Sequence, residues 1–108
     1  MNDEQDRDPE RPETLRIALE RPIELNKGRY DALDLREPTV GEMLRAEGHL
    51  RKGVTVEAMR LRDIHLVAAV SGWPVAAVER LPVSKMEQAT EFLLAFAERT
   101  PTAETAAD

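Results

Sequence analysis

Apolar residues fall on alternate positions up to residue 35 and on helical spacing from residue 40 onward. This change of period at Glu37-Pro38 decides the fold class. Leu15, Ile17, Leu19, Ile23 and Leu25 all take odd positions, with Arg21 the one interruption, so an extended strand there carries a single apolar face. Pro22 cannot donate to a ladder, which makes the strand an edge or interrupts it at that point. Asn26-Lys27-Gly28 supplies the turn, with Gly28 able to take positive φ. Leu33 and Leu35 resume the alternation beyond Tyr30. The pattern predicts a β-hairpin over 15–36.

Helical signals follow at once. Pro38 disfavours helix at Glu37, and Thr39-Val40-Gly41-Glu42 fits a capping box, hydroxyl at N-cap and carboxylate at N3. Val40, Met43, Leu44, Glu47 and Leu50 trace one stripe, apolar except for Glu47, and Gly48 and Gly53 flank its end. Thr55 can cap a second helix whose Met59, Leu61, Ile64, Val67, Ala68 and Val70 make a broad apolar surface. Ser71-Gly72 stops it, and Pro74 opens a short helix at its first position that ends near Leu81-Pro82. Ser84-Lys85-Met86-Glu87 reads as a second capping box, opening a last helix with Met86, Ala89, Thr90, Leu93, Phe96 and Ala97 at helical spacing. The expectation is an α+β domain, mainly helical: an N-terminal hairpin followed by three to four helices.

Charge separates this domain from its ends. The chain has 21 acidic against 15 basic residues in 108, a net charge of -6. Residues 1–13 hold six acids and two arginines, a net of -4, while 14–98 holds 13 acids and 12 bases. Residues 1–13 have no aliphatic side chain after Met1 and include two prolines, so they cannot offset their ordering entropy. They are expected to form a disordered acidic tail, 14–98 a single domain, and 99–108 a second loose tail. Nothing here is globally basic, as a nucleic-acid binder or an anionic-membrane binder would be. There is no cysteine, hence no disulfide, thiolate metal site or cysteine nucleophile. No apolar run approaches the roughly 18–20 residues of a membrane span, and the acidic start is not that of a secretory signal. The composition fits a soluble intracellular protein.

Constellations for chemistry are missing. His49 and His65 are the only histidines, sixteen residues apart on different predicted helices, and no HExxH pair exists. His49 reads as a surface residue near a helix end and His65 as half-buried against a neighbour. Ser71 and Ser84 are the only serines, both explained by helix boundaries, and neither lies in a nucleophile elbow. The five glycines are isolated, so no phosphate cradle forms. An enzyme, a metal site and a small-molecule substrate are therefore not expected. The segment 45–62 is locally basic, with Arg45, Arg51, Lys52, Arg60 and Arg62 against Glu47 and Glu57. It supports an alternative, a small DNA-binding or regulatory helical module, although it lacks Asn or Gln to read bases.

What remains is surface. Phe92 and Phe96 lie four apart on one face of the last helix while Leu94 lies off it, so that helix is apolar on more than one side. Trp73 is either a plug under the interhelix corner or an exposed anchor. Trp73, Phe92, Leu93 and Phe96 are the candidate partner-binding residues.

The order of these signals carries a resemblance. A hairpin, then Leu35-Arg36-Glu37-Pro38-Thr39-Val40-Gly41-Glu42, a helix, and Ser71-Gly72-Trp73-Pro74 with Leu81-Pro82 eight residues after Trp73 is similar to the phage tail assembly chaperone family of the Mu-like and P2-like E-protein type, over about residues 15–97. The resemblance implies a non-catalytic protein from a phage or prophage, without cofactors. It would bind the tape measure protein, with the tail tube protein or a second copy of itself as further partners. Such a protein works in the bacterial host cytoplasm and is not expected in the mature virion. Acidic, solubilising ends and apolar helix faces suit that task.

Overall fold

A computed structural model describes residues 13–26 and 28–105, with side chains described for 13–26 and 28–97. Most of the expected acidic tail, residues 1–12, lies outside the described residues, as do 106–108. Thr14–Leu25 forms β1 and Gly28–Arg36 forms β2, paired antiparallel as a two-stranded sheet. The ladder runs from Thr14 opposite Arg36 to Ala18 opposite Ala32, slips, and resumes with Ile23 opposite Tyr30 and Leu25 opposite Gly28. Pro22, which has no N–H to give, sits inside the slip. On either side of the slip the odd-numbered face of β1 is inward, with Ile17 and Ile23 buried and Leu15, Leu19 and Leu25 packed against the core, while Arg21 within the slip is exposed. Because the slip changes which β2 residues lie opposite that face, Tyr30 joins Ile23 while Leu33 and Leu35 join Ile17 and Leu15.

One detail of the turn differs from expectation. Asn26 takes the positive φ, at 47°, and Gly28 instead opens β2. Gly28 leaves room for a neighbouring ring instead. The Tyr30 ring lies over it, and a Cβ there would meet Tyr30 Cζ at 2.7 Å.

Four α-helices follow among the described residues: α1 Val40–Glu47, α2 Val56–Ser71, α3 Val75–Val78 and α4 Val83–Thr105, with a short 3₁₀ turn at Gly48–Leu50. The first capping box is present in full. Glu42 N–H donates to Thr39 Oγ1 at 3.1 Å and Thr39 N–H donates to Glu42 Oε1 at 2.9 Å. Thr55 caps α2 through Ala58 N–H at 3.0 Å. Gly72 ends α2 in the left-handed region at φ 80°, its N–H on the Ala68 carbonyl at 2.9 Å. Pro74 stands one position outside α3, as its N-cap, and not inside it. The second capping box does not form: α4 starts at Val83, the Pro82 carbonyl accepts from Lys85 and Met86 N–H, and Ser84 falls within the first turn. The backbone of α4 also continues to Thr105, past the boundary expected at 98.

The core lies between the inward face of the hairpin and the C-terminal half of α2, closed by α3 and α4. Leu33, Leu66, Val67, Val78 and Leu93 are its largest fully buried side chains, each worth roughly 1.5–3 kcal/mol when removed from water. No side-chain nitrogen or oxygen is left buried without a partner among the described residues.

Candidate functional site

The four residues expected to meet a partner divide into two pairs. Trp73 is 9% exposed and Leu93 0%, both inside the core. Trp73 is the plug of the two sequence readings. Ser71 Oγ donates to the Val67 carbonyl at 2.7 Å and accepts Trp73 N–H at 3.2 Å, which fixes the chain as it leaves α2. The indole then lies against Tyr30 with ring centroids 5.1 Å apart and tilted by 51°. An aromatic contact of this kind joins the end of the hairpin to the α2–α3 corner. Leu93 points the opposite way from a docking residue, inward from the middle of α4. Their burial withdraws both from any surface that this conformation offers.

Phe92 and Phe96 remain half-buried. Phe92 packs against the core, and Phe96 meets it edge to face, centroids 5.2 Å apart at 86°. The i, i+4 spacing on α4 makes this pair. Leu94, Ala95 and Ala97 are also neither buried nor fully exposed, so the stretch 92–97 presents apolar atoms on several sides of the helix.

A second apolar surface was not legible as such. The stripe read on α1 is turned outward: Val40 is 82% exposed and Leu44 67%, while Ala46 is buried and Met43 packs against the core. The buried face of α1 is therefore offset by roughly a quarter turn from the stripe's centre. The small Ala46 lets α1 lie close to α2, and spacing rules give alanine little weight. On α2, Leu66, Val67, Ala68 and Val70 are buried, whereas Val56 and Met59 at its start are exposed. Val54 in the preceding loop is exposed as well.

The two histidines meet. His49 in the 3₁₀ turn and His65 on α2 stack with centroids 4.2 Å apart and planes 26° from parallel. His65 is therefore half-buried against a neighbour, as expected, and that neighbour is His49, which is itself half-buried and not the surface residue expected. Among the described residues no group of three or more His, Asp or Glu side chains could hold a metal.

Several charged groups of the hairpin pair with carboxylates nearby. Arg16 meets Asp34 at 2.8 Å across the ladder and Arg29 meets Glu24 at 3.2 Å, both exposed pairs. Arg36 forks onto Glu42, Nη1 to Oε1 and Nη2 to Oε2, each at 2.9 Å. That guanidinium, with the Thr39 N–H adding to it, holds the Glu42 carboxyl at about 2, well below its ordinary value. Two open grooves of about 460 Å³ each flank the sheet, one lined by Leu15, Arg16, Asp34, Arg36 and Val70, the other by Leu19, Arg21, Pro82 and Lys85. In the first, the charged side chains are those already paired.

No described helix is long and apolar enough to cross a membrane. Compared with known families, residues 16–98 match the family described as phage tail assembly chaperone proteins, E, or 41 or 14. No curated protein and no solved structure matches the chain.

Proposed function

The chain belongs to the phage tail assembly chaperone family, and on that premise we propose that it binds the tape measure protein and keeps it available while tail tube subunits assemble around it. The observation that carries this reading is the Phe92–Phe96 pair, two large rings half-buried on a helix whose inward side is already filled by Leu93. A long helical partner has apolar stripes of its own. Burying the remaining face of a half-buried phenylalanine against such a stripe contributes about 1 kcal/mol, roughly half of what burying a fully exposed side chain gives. Contacts of that size hold reversibly, weakly enough for the growing tube to displace. The task is non-catalytic and belongs to the host cytoplasm during assembly, with the chaperone absent from the finished tail. The tail tube protein and a second copy of the chain are further partners that the same apolar helix suits.

The test is co-purification of the tape measure protein with the wild-type chain and with Phe92→Ser and Phe96→Ser. Circular dichroism establishes that each variant is folded. Folded variants that no longer retain the tape measure protein support the reading. Folded variants that retain it fully overturn the assignment to these two rings.

A further inference from the structure

Between Val40 and His65 the only fully buried residue is Ala46. The corner made by α1, the 3₁₀ turn and the first half of α2 is therefore carried by the domain and contributes little to its core. Yet it is not polar. Val40, Leu44, Val54, Val56 and Met59 are five of the six large hydrophobic residues that the described structure leaves exposed. The charged side chains among them have one sign in excess: residues 45–62 hold five bases and two acids, a local net of +3 in a chain whose total is -6.

Four of these five bases, like Arg21, Arg80 and Lys85 elsewhere among the described residues, lack the carboxylate partner that three of the four hairpin arginines have. Arg16, Arg29 and Arg36 on the hairpin each hold a carboxylate, and Arg62 holds Asp63 at 2.6 Å. Arg45, Arg51, Lys52 and Arg60 make no ion pair among the described residues. A surface with exposed aliphatic side chains and unpaired cations is complementary to a ligand with an apolar stripe flanked by carboxylates. Exposed branched aliphatics gain nothing from a phosphate backbone, and a chain of net charge -6 is poorly suited to an anionic bilayer.

We infer that the corner formed by α1 and the start of α2 is a second docking surface, which takes an acidic amphipathic helix of a protein partner on Leu44, Val56 and Met59, with Arg51 and Lys52 meeting its carboxylates. It stands on different elements from Phe92 and Phe96. Its failure is therefore separable from failure of the tape measure reading.

The experiment is isothermal titration of the full chain with a synthetic helix bearing leucines at i, i+3, i+4 and i+7 and glutamates on its flanks. A twin peptide with lysines on the flanks, a random-sequence DNA duplex and phosphatidylserine-containing vesicles are titrated alongside. The glutamate peptide binds; the lysine twin binds at least about tenfold more weakly, since like charges oppose it. Arg51→Glu/Lys52→Glu weakens the glutamate peptide about tenfold or more, as does Leu44→Ser/Val56→Ser, with circular dichroism unchanged because all four side chains are exposed. Phe96→Ser leaves the preference for the glutamate peptide over its lysine twin as it was. Equal binding of the two peptides, no binding of either, unchanged affinity in the variants, or preferential binding of the duplex or the vesicles overturns the inference.

Discussion

Arg36, the last residue of β2, and Glu42, in the first turn of α1, are joined by two parallel hydrogen bonds of 2.9 Å across the strand-to-helix corner. The same carboxylate completes the capping box with Thr39. One side chain thus closes the helix end and ties it to the sheet, and its pKa of about 2 against an ordinary 4.5 gives stability a pH dependence. The unfolded chain takes up the Glu42 proton first as pH falls. The stabilisation is therefore complete above about 4.5 and is lost progressively as pH drops toward 2. Urea midpoints measured across that window should fall for the wild type and fall less steeply for Glu42→Gln. At neutral pH that variant should be weaker by about 1 kcal/mol, from the lost charge assistance.

Gly72 is the second fixed point. Its φ of 80° is left-handed, and a Cβ there would meet no atom within 4 Å. Gly72→Ala should therefore cost only the conformational term, about 1 kcal/mol, seen as a fall in Tm of roughly 4–8 °C. Gly28→Ala is different in kind, because the added carbon collides with the Tyr30 ring. Displacing that ring disturbs its contact with Trp73, so the variant should change tryptophan fluorescence in the folded state, which Gly72→Ala should not.

Neighbouring residues on α4 should separate core from surface. Leu93→Ala empties a fully buried site and should destabilise by about 2–5 kcal/mol. Phe96→Ser, at a half-buried position beyond the core, should cost about 1 kcal/mol or less. Equilibrium unfolding in urea measures both, and equal losses would place Phe96 in the core and remove it from the docking surface.

Local rules carried the reading of the fold a long way. The odd-numbered face of β1, the interruption at Pro22, the Thr39–Glu42 box, the Thr55 cap and the stop at Gly72 all depend on residues within a few positions of one another, and all are present. What sequence could not supply was rotation and contact. Val40 and Leu44 turn outward while Ala46 is buried and Met43 packs against the core, a rotation that the spacing of large apolar residues does not encode. The stacking of His49 on His65 needs the helical corner between them to fold back. Ser84 carried the signature of a cap, yet Pro82 immediately before Val83 made the earlier start available. At the candidate site, spacing identified α4 and the Phe92–Phe96 face correctly as apolar. Burial of Trp73 as a plug was one of the two readings open to the sequence, whereas the full burial of Leu93 was not, because it depends on tertiary packing that spacing along α4 does not encode.

The central claim is that the chain holds a tape measure protein through an apolar helix face. Its most direct measurement is the soluble fraction of the tape measure protein when expressed alone, with the wild-type chaperone, and with Phe92→Ser/Phe96→Ser. The account predicts a largely insoluble tape measure protein alone, a soluble one with the wild type, and a return toward insolubility with the double variant. A tape measure protein equally soluble in all three, or rescued as well by a folded double variant as by the wild type, would contradict it.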